Sequence, residues 1–446
     1  MQSSPSAGAA ESNFLQLLDR AVGLHASGQI AQAIDIYRLV LAQEPAQPIA
    51  LHFLGIGLHQ QGDSNAGIAH IQQSCALQPD NPAWYNDLGN VLFSLGQFEQ
   101  ASQAYIDALQ LNPHDSQIWN NLGAAQLQCH EQGAAITAFE QAVKLDPEFA
   151  PALIHLGNIY EAQGDKLTSA GYQCRAFVLP PLEGKSKEML GISFYFLGRL
   201  QEAAAIYRLW MEEEPDNPIA THMYAACSQT EVPERASNSY IEHYFDRYAE
   251  TFNATLNDNL GYRGPDLMRE GLRAIATAAR QYDILDLGCG TGLCAPKVAD
   301  YARSLIGVDL SAKMLEQARV HGGYDQLVKQ EICAYMTTKS AAFDIILAAD
   351  TVIYFGDLRA VVVAASNALR PGGYLIFTIE AVESDTQAIA EGFHLHASGR
   401  YRHAKDYVAS TLAQAGLVAV NIVDTVLREE IRRPVAGMLV TAQRPQ

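Results

Sequence analysis

The sequence predicts two architectures in tandem: an all-α superhelix of repeated helix pairs, followed by an α/β, doubly wound sheet. Three observations predict it. A chain of 446 residues exceeds what one hydrophobic core usually serves. Proline recurs every 34 residues through the first half, at Pro45, Pro79, Pro113, Pro147, Pro181 and Pro215. Past residue 280 the pattern changes to an apolar run, a glycine loop, a helical stretch, a second apolar run and an acid.

The repeated half comes first. Glycine keeps the same 34-residue step at Gly28, Gly62, Gly96, Gly164 and Gly198, with His130 in the missing place, and a second series runs Gly55, Gly89, Gly123, Gly157 and Gly191. Small residues (Ala101, Ala135, Ala203) and aromatics (Tyr37, Tyr105, Phe139, Tyr207) are phased with them. The reading is a helix with glycine at its middle, a turn, a second helix carrying the alanine and the aromatic, and a proline that ends it for want of an amide. These residues resemble the tetratricopeptide repeat. The resemblance implies six repeats within residues 14–228, a capping helix near Ile219 to Ser228, and a solenoid with a concave groove. The fifth repeat fits least well, with Ser169 and Gln173 at its small and aromatic positions, and an irregular loop is expected there. Residues 1–13 read as a disordered lead-in, small and polar and without the pattern of a secretory signal.

The repeat consensus directs Asn86, Asp87, Asn90, Asn120, Asn121, His155 and Asn158 toward the groove. Amide side chains donate and accept at once, which suits gripping an extended peptide backbone. A solvated helix face, which needs no function, is the simpler reading of them.

Charge narrows the partners. The chain has a net charge of -19, and residues 1–230 hold 9 Lys and Arg against 23 Asp and Glu. Nucleic-acid binding is not expected of so acidic a half; a protein or peptide partner is. Hydrophobic residues at 48% and charged ones at 18% fit globular structure, without a membrane span. Seven scattered cysteines lack metal spacing and read as free thiols in a cytoplasmic protein.

Residues 229–239 read as a linker and 240–446 as the second domain. Tyr282 to Leu287 is the first strand, Gly288-Cys289-Gly290-Thr291-Gly292 the loop, a helix follows to about Ala302, and Leu305 to Asp309 is the second strand. Glycines let a backbone approach a ligand closely. An acid at the carboxyl end of the second strand can accept from both hydroxyls of a ribose, so a nucleoside cofactor follows. Nicotinamide sites usually read Gly-x-Gly-x-x-Gly, which this loop does not.

Asp286-x-Gly288-x-Gly290-x-Gly292 resembles the first motif of class I S-adenosylmethionine-dependent methyltransferases, a Rossmann-like family, over about residues 240–446. The resemblance implies S-adenosyl-L-methionine as cofactor and an antiparallel last strand. It further implies that Asp286 helps hold the methionine ammonium, that Gly288 and Gly290 line methionine and ribose, and that Asp309 takes the ribose. Leu310 and Met314 would flank the adenine, Glu331 and Ile332 meet its edge, and Asp350, after the strand Phe343 to Ala348, would face methionine and substrate. Ser239 to Tyr248, with Phe252 and Leu260-Gly261-Tyr262, is similar to the family's helical lid, in which Tyr248 would close over the cofactor. Strands six and seven are expected at Val418 to Val423 and Gly437 to Ala442, and a helix from about Lys405.

For catalysis the candidates are His403 and Tyr401, with Arg400 meeting an acidic substrate group; no metal is expected. The methyl acceptor is left open, protein or small molecule, selected by the repeats. An adaptor that binds cofactor without turnover is the alternative.

Overall fold

In the computed structural model the 34-residue period folds as pairs of helices: Ile30–Gln43 follows Ala7–Ala26, then come Pro48–Gln60 with Ser64–Leu77, Pro82–Ser94 with Phe98–Leu111, Ser116–Gln128 with Gln132–Leu145, and Ala150–Ala162 with Lys166–Phe177. The structure describes residues 7–250, 252, 261–276, 280–382, 391–430 and 433–446. The first helix starts inside the stretch expected to be a lead-in; residues 1–6 of that stretch, and Leu260, lie outside the described residues.

The mid-helix glycines have a steric cause. A Cβ on Gly89 would lie 2.5 Å from Tyr105 Cε1, and one on Gly123 2.8 Å from Phe139 Cε1. Only glycine lets the buried aromatic of the second helix rest on the first. Where the turn series lacks glycine, His130 adopts the same left-handed backbone, at φ 62°. In the fifth pair the Ser169 hydroxyl instead donates to the Gly157 carbonyl at 2.8 Å. The helices still form there, but no helix covers the stretch between Phe177 and Lys187, and the chain divides into two units at that point, Met1–Pro181 and Leu182–Gln446.

The asparagines of the first unit bind one another across repeats. Asn121 Nδ2 donates to Asn86 Oδ1 at 3.1 Å and to Asn90 Oδ1 at 3.3 Å, and the Tyr105 hydroxyl donates to Asn90 Oδ1 at 2.9 Å. Asn120 is buried, His155 stacks on Phe139 and Asn158 is exposed. Part of the expected peptide-gripping wall therefore joins neighbouring repeats.

The second unit begins with helices Lys187–Phe196, Leu200–Glu213 and Pro218–Ser228 and continues with Asn238–Tyr248 and Gly264–Ile275. Among the described residues nine strands follow: β1 Tyr282–Leu287, β2 Ala302–Asp309, β3 Gln326–Lys329, β4 Phe343–Ala348, β5 Leu369–Ala381, β6 Phe393–Leu395, β7 Tyr401–His403, β8 Val418–Glu430 and β9 Arg433–Gln443. Their order is β3-β2-β1-β4-β5-β7-β6, with β9 antiparallel to β5 and β8 antiparallel to β9. Alternation along β4 sends Ile346 and Ala348 into one core, with helices Ile332–Thr337, Arg359–Ala368 and Lys405–Gln414. Ile345 and Leu347 enter the other, with Gly264–Ile275 and Ala295–Val298. The sheet is thus covered on both faces.

Two expectations need correction. The helix after the glycine loop is only Ala295–Val298, with Pro296 in its first turn, and β2 already begins at Ala302. Residues 229–237 are not a free linker: Ala236 N donates to the Tyr354 carbonyl, Gly356 N to the Glu234 carbonyl, both at 2.8 Å, and the Tyr401 hydroxyl to the Pro233 carbonyl at 2.6 Å. Helix Pro218–Ser228 packs on Leu200–Glu213, as the expected cap does, and also buries Ala225 and Ala226 against Leu395 and Tyr401 of the β6–β7 hairpin. No helix among the described residues is long and apolar enough to cross a membrane.

Candidate active site

Parallel strands present their carboxyl ends to one side of the sheet, where loops must cover them. There the second unit holds a cavity of about 390 Å³, a volume in the range of small-molecule sites. Gly288 and Gly290 from the loop after β1, Asp309 and Leu310 after β2, Glu331 and Ile332 after β3, and Asp350 after β4 all line it. Tyr248 does too, with Tyr244, Phe245, Phe252, Tyr262 and Tyr354.

The loop is held from both sides. Asp309 Oδ2 accepts from Gly290 N at 3.0 Å and Oδ1 from Ser311 N at 2.8 Å, tying the end of β2 to the glycines. A Cβ on Gly288 would fall 2.3 Å from Thr351 Oγ1, so the residue after Asp350 can pack on the loop only if that position is bare. Ser311 Oγ donates to Asp246 at 2.5 Å, Lys329 meets Glu242 at 2.5 Å and Arg235 meets Glu331 at 2.9 Å. These bonds fasten helix Asn238–Tyr248 over the ends of β2 and β3.

Behind the loop, Asp286 accepts from the Tyr324 hydroxyl at 2.6 Å; its Oδ1 has no partner, and the residue does not line the cavity. Burial pushes its carboxyl up to about 7. The unfolded chain loses this proton near pH 4 and the native state keeps it to about pH 7, so stability falls as pH rises through that window. Asp286→Asn, a fixed mimic of the protonated acid, is expected to melt with the parent at pH 4 and several degrees above it at pH 8. Thermal scans at both values check this, and superimposed melts at pH 8 would count against it.

Other sequence candidates are placed elsewhere. Met314 is a core residue of the helix Ala312–His321 and does not reach the cavity. His403 and Tyr401 alternate inward from β7, are fully buried and do not line the cavity either. His403 Nε2 donates to the Gly356 carbonyl at 3.0 Å, leaving Nδ1 without a partner, and burial lowers its pKa to about 4. The catalytic assignment of these two residues is therefore withdrawn.

Arg400 does line the cavity, but it is engaged: Nε donates to Glu380 at 2.7 Å and Nη2 to both oxygens of Glu430, at 2.5 and 2.6 Å. Arg428 joins the same group, donating to Asp350 at 2.6 Å, to Glu430 at 2.8 Å and to Glu380. Burial opposes ionisation of Glu380, yet Arg400 and Arg428 outweigh it and hold the carboxyl down to about 2. Arg235, Arg428 and Glu430 escaped sequence reasoning. Their one local signal was Arg428 and Glu430 two apart on a strand, which also describes a solvated edge.

The lining fits an adenosyl cofactor: bare glycines beside an acid at the end of β2, an apolar pair at Leu310 and Ile332, and aromatic walls. A methyltransferase domain model matches residues 285–377, and tetratricopeptide repeat models match 89–129, 116–149 and 133–178. The ubiquinone biosynthesis O-methyltransferase of Idiomarina loihiensis is 31% identical over 99 residues, 21% of this chain and 41% of that one. The malonyl-[acyl-carrier protein] O-methyltransferase of Enterobacter lignolyticus is 35% identical over 115 residues, 26% of this chain and 45% of that one. The chain spans less than half the length of these relatives. Among solved structures, an S-adenosylmethionine-dependent methyltransferase from Mesorhizobium loti is 23% identical, covering 39% of this chain and 96% of that one at a TM-score of 0.32. MamA from Desulfovibrio magneticus is 22% identical, covering 39% and 97% at 0.36.

Fold, cavity and family match together define a class I methyltransferase domain, of the kind that uses S-adenosylmethionine. The chain is a tetratricopeptide-repeat protein carrying that domain.

Proposed function

We propose that the chain transfers the methyl group of S-adenosylmethionine to an oxygen of an acceptor that the repeats recruit or position. The observation that carries this reading is one continuous lining: the bare glycine loop and Asp309 open onto the same aromatic cavity as Asp350. Transfer to oxygen is favoured because the relatives matched are O-methyltransferases.

When bound, the cofactor supplies a methyl group already activated on a positively charged sulfur. The protein's share is alignment and exclusion of water. Asp309 would accept from the ribose hydroxyls, Leu310 and Ile332 would flank the adenine, Glu331 would meet its edge, and Gly288 and Gly290 would let methionine lie on the backbone. Asp286, turned toward Tyr324, would act on the ammonium only through the loop. Helix Asn238–Tyr248 lines the cavity with Tyr244 and Tyr248 and would narrow the access of water. The matched repeats support a protein partner, and seven cysteines that form no disulfide among the described residues suit a cytoplasmic setting.

Calorimetry with S-adenosylhomocysteine and NAD tests the cofactor: the first is expected to bind and the second not, and the reverse overturns the reading. Labelled cofactor in a cell lysate, fractionated into protein and small-molecule pools, tests transfer. Binding without any labelled product would leave a cofactor-binding adaptor instead.

A further inference from the structure

Among the described residues the wall of the cavity carries three guanidinium groups, Arg235, Arg400 and Arg428, against four carboxylates, Asp309, Glu331, Asp350 and Glu430. Each arginine is already bonded to internal acids: Arg235 to Glu331, Arg400 to Glu380 and Glu430, and Arg428 to Asp350, Glu380 and Glu430. Behind the wall, Arg402 stands 3.6 Å from Glu380 and offsets it. Among the described residues an anionic acceptor would find no uncommitted cation, and it would add charge to a wall whose described groups are net negative by one. The cofactor, with one carboxylate, one ammonium and one sulfonium, is net positive by one and brings the site to neutrality.

The four carboxylates differ in what they have left to offer. Glu430 accepts three bonds from two arginines, Glu331 accepts from Arg235, Cys333 N and Ala334 N, and Asp309 accepts two backbone amides while facing the proposed ribose site. Asp350 accepts a single bond on each oxygen, from the Thr378 hydroxyl at 2.9 Å and Arg428 at 2.6 Å, and retains a lone pair on both. It sits at φ 50°, an unusual backbone for a residue other than glycine, directly before the Thr351 that packs on Gly288. Burial favours its protonated form, with Arg428 opposing.

Resting on the proposed methyl transfer, we infer that the acceptor is an uncharged hydroxyl compound and that Asp350 is the catalytic base that receives its proton. The acceptor oxygen forms its bond to the methyl carbon as the carbon–sulfur bond breaks, with that electron pair left on sulfur, and the hydroxyl proton passes to Asp350. The charge lost at sulfur and the charge neutralised at Asp350 cancel, so the site ends the reaction as neutral as it began. Arg428 is the positioning residue that fixes the carboxylate.

Calorimetry on the full chain tests this without knowledge of the natural acceptor. Sinefungin carries an ammonium where the methyl would be, and S-adenosylhomocysteine carries no charge there. Sinefungin is expected to bind at least tenfold tighter, and Asp350→Asn to remove that advantage while keeping the homocysteine affinity within threefold. In protein saturated with S-adenosylhomocysteine, phenol is expected to bind at least tenfold tighter than benzoate, and Glu430→Gln to narrow the gap. An equal response to the two nucleosides, an advantage that survives Asp350→Asn, or a phenol preference below tenfold, silence from both probes included, overturns the inference. Absence of any S-adenosylhomocysteine binding would instead refute the methyltransferase reading beneath it.

Discussion

Replacing Arg428 with methionine is expected to destabilise the protein by about 3–5 kcal/mol, because Asp350, Glu380 and Glu430 would share one buried site with less opposing charge. The arginine side chain is 4% exposed and Glu380 1% exposed, so water cannot take over its role. A loss of that size in a unit of this length lowers the melting temperature by roughly 6–20 °C. Adding Glu380→Gln is expected to recover part of it, since one of the stranded charges is then gone. Arg303→Met is the comparison: that side chain is 57% exposed in its pairs with Asp283 and Asp344, and its removal is expected to cost at most about 1 kcal/mol. Thermal and urea denaturation of the variants measures both. Equal destabilisation by the two would show that the buried network contributes no more than a surface pair.

Asp309→Ala is expected to weaken S-adenosylhomocysteine binding by about 100- to 1,000-fold or more. Two ribose hydroxyls bonded to a carboxylate are worth roughly 1.5–3 kcal/mol each, and every 1.4 kcal/mol is tenfold in affinity. Asp309→Asn keeps the shape and an acceptor oxygen but not the charge, so an intermediate loss is expected. Part of the alanine effect would come from the loop, since Gly290 N and Ser311 N lose their acceptor. Calorimetry gives the constants directly, and a loss below tenfold would mean that Asp309 orders the loop without holding the ribose.

The residues that were legible in the sequence are those whose positions depend on neighbours a few places away. Gly288, Gly290 and Asp309 occupy one strand–loop–helix–strand unit, and local geometry alone brings them to the cavity. The 34-residue period was equally readable, because each mid-helix glycine answers to the side chain sixteen residues on, an aromatic for Gly89, Gly123 and Gly191, Ile71 for Gly55 and Gln173 for Gly157. Met314, His403 and Tyr401 were misjudged for one reason: each lies on the right element, but which way its side chain points depends on the pleat or helix phase against distant partners. His403 faces Gly356 and Tyr401 faces Pro233, and neither partner is near it in sequence. Arg235 and Arg428 were missed because a charged residue in a polar stretch, or at a strand's end, reads as solvated until the fold brings in Glu331 or Glu380.

The stretch between Gln229 and Ser237 bears on where this chain can be cut. A fragment trimmed to begin at Tyr240, the boundary that composition suggests, would lose Glu234 and Ala236, which close the backbone around Tyr354 and Gly356, and Arg235, the counter-ion of Glu331. Such a fragment would leave one side of the chamber open to water. An excised catalytic half would keep its chamber shut only if the incision falls well upstream, which makes the apparent seam part of the vessel.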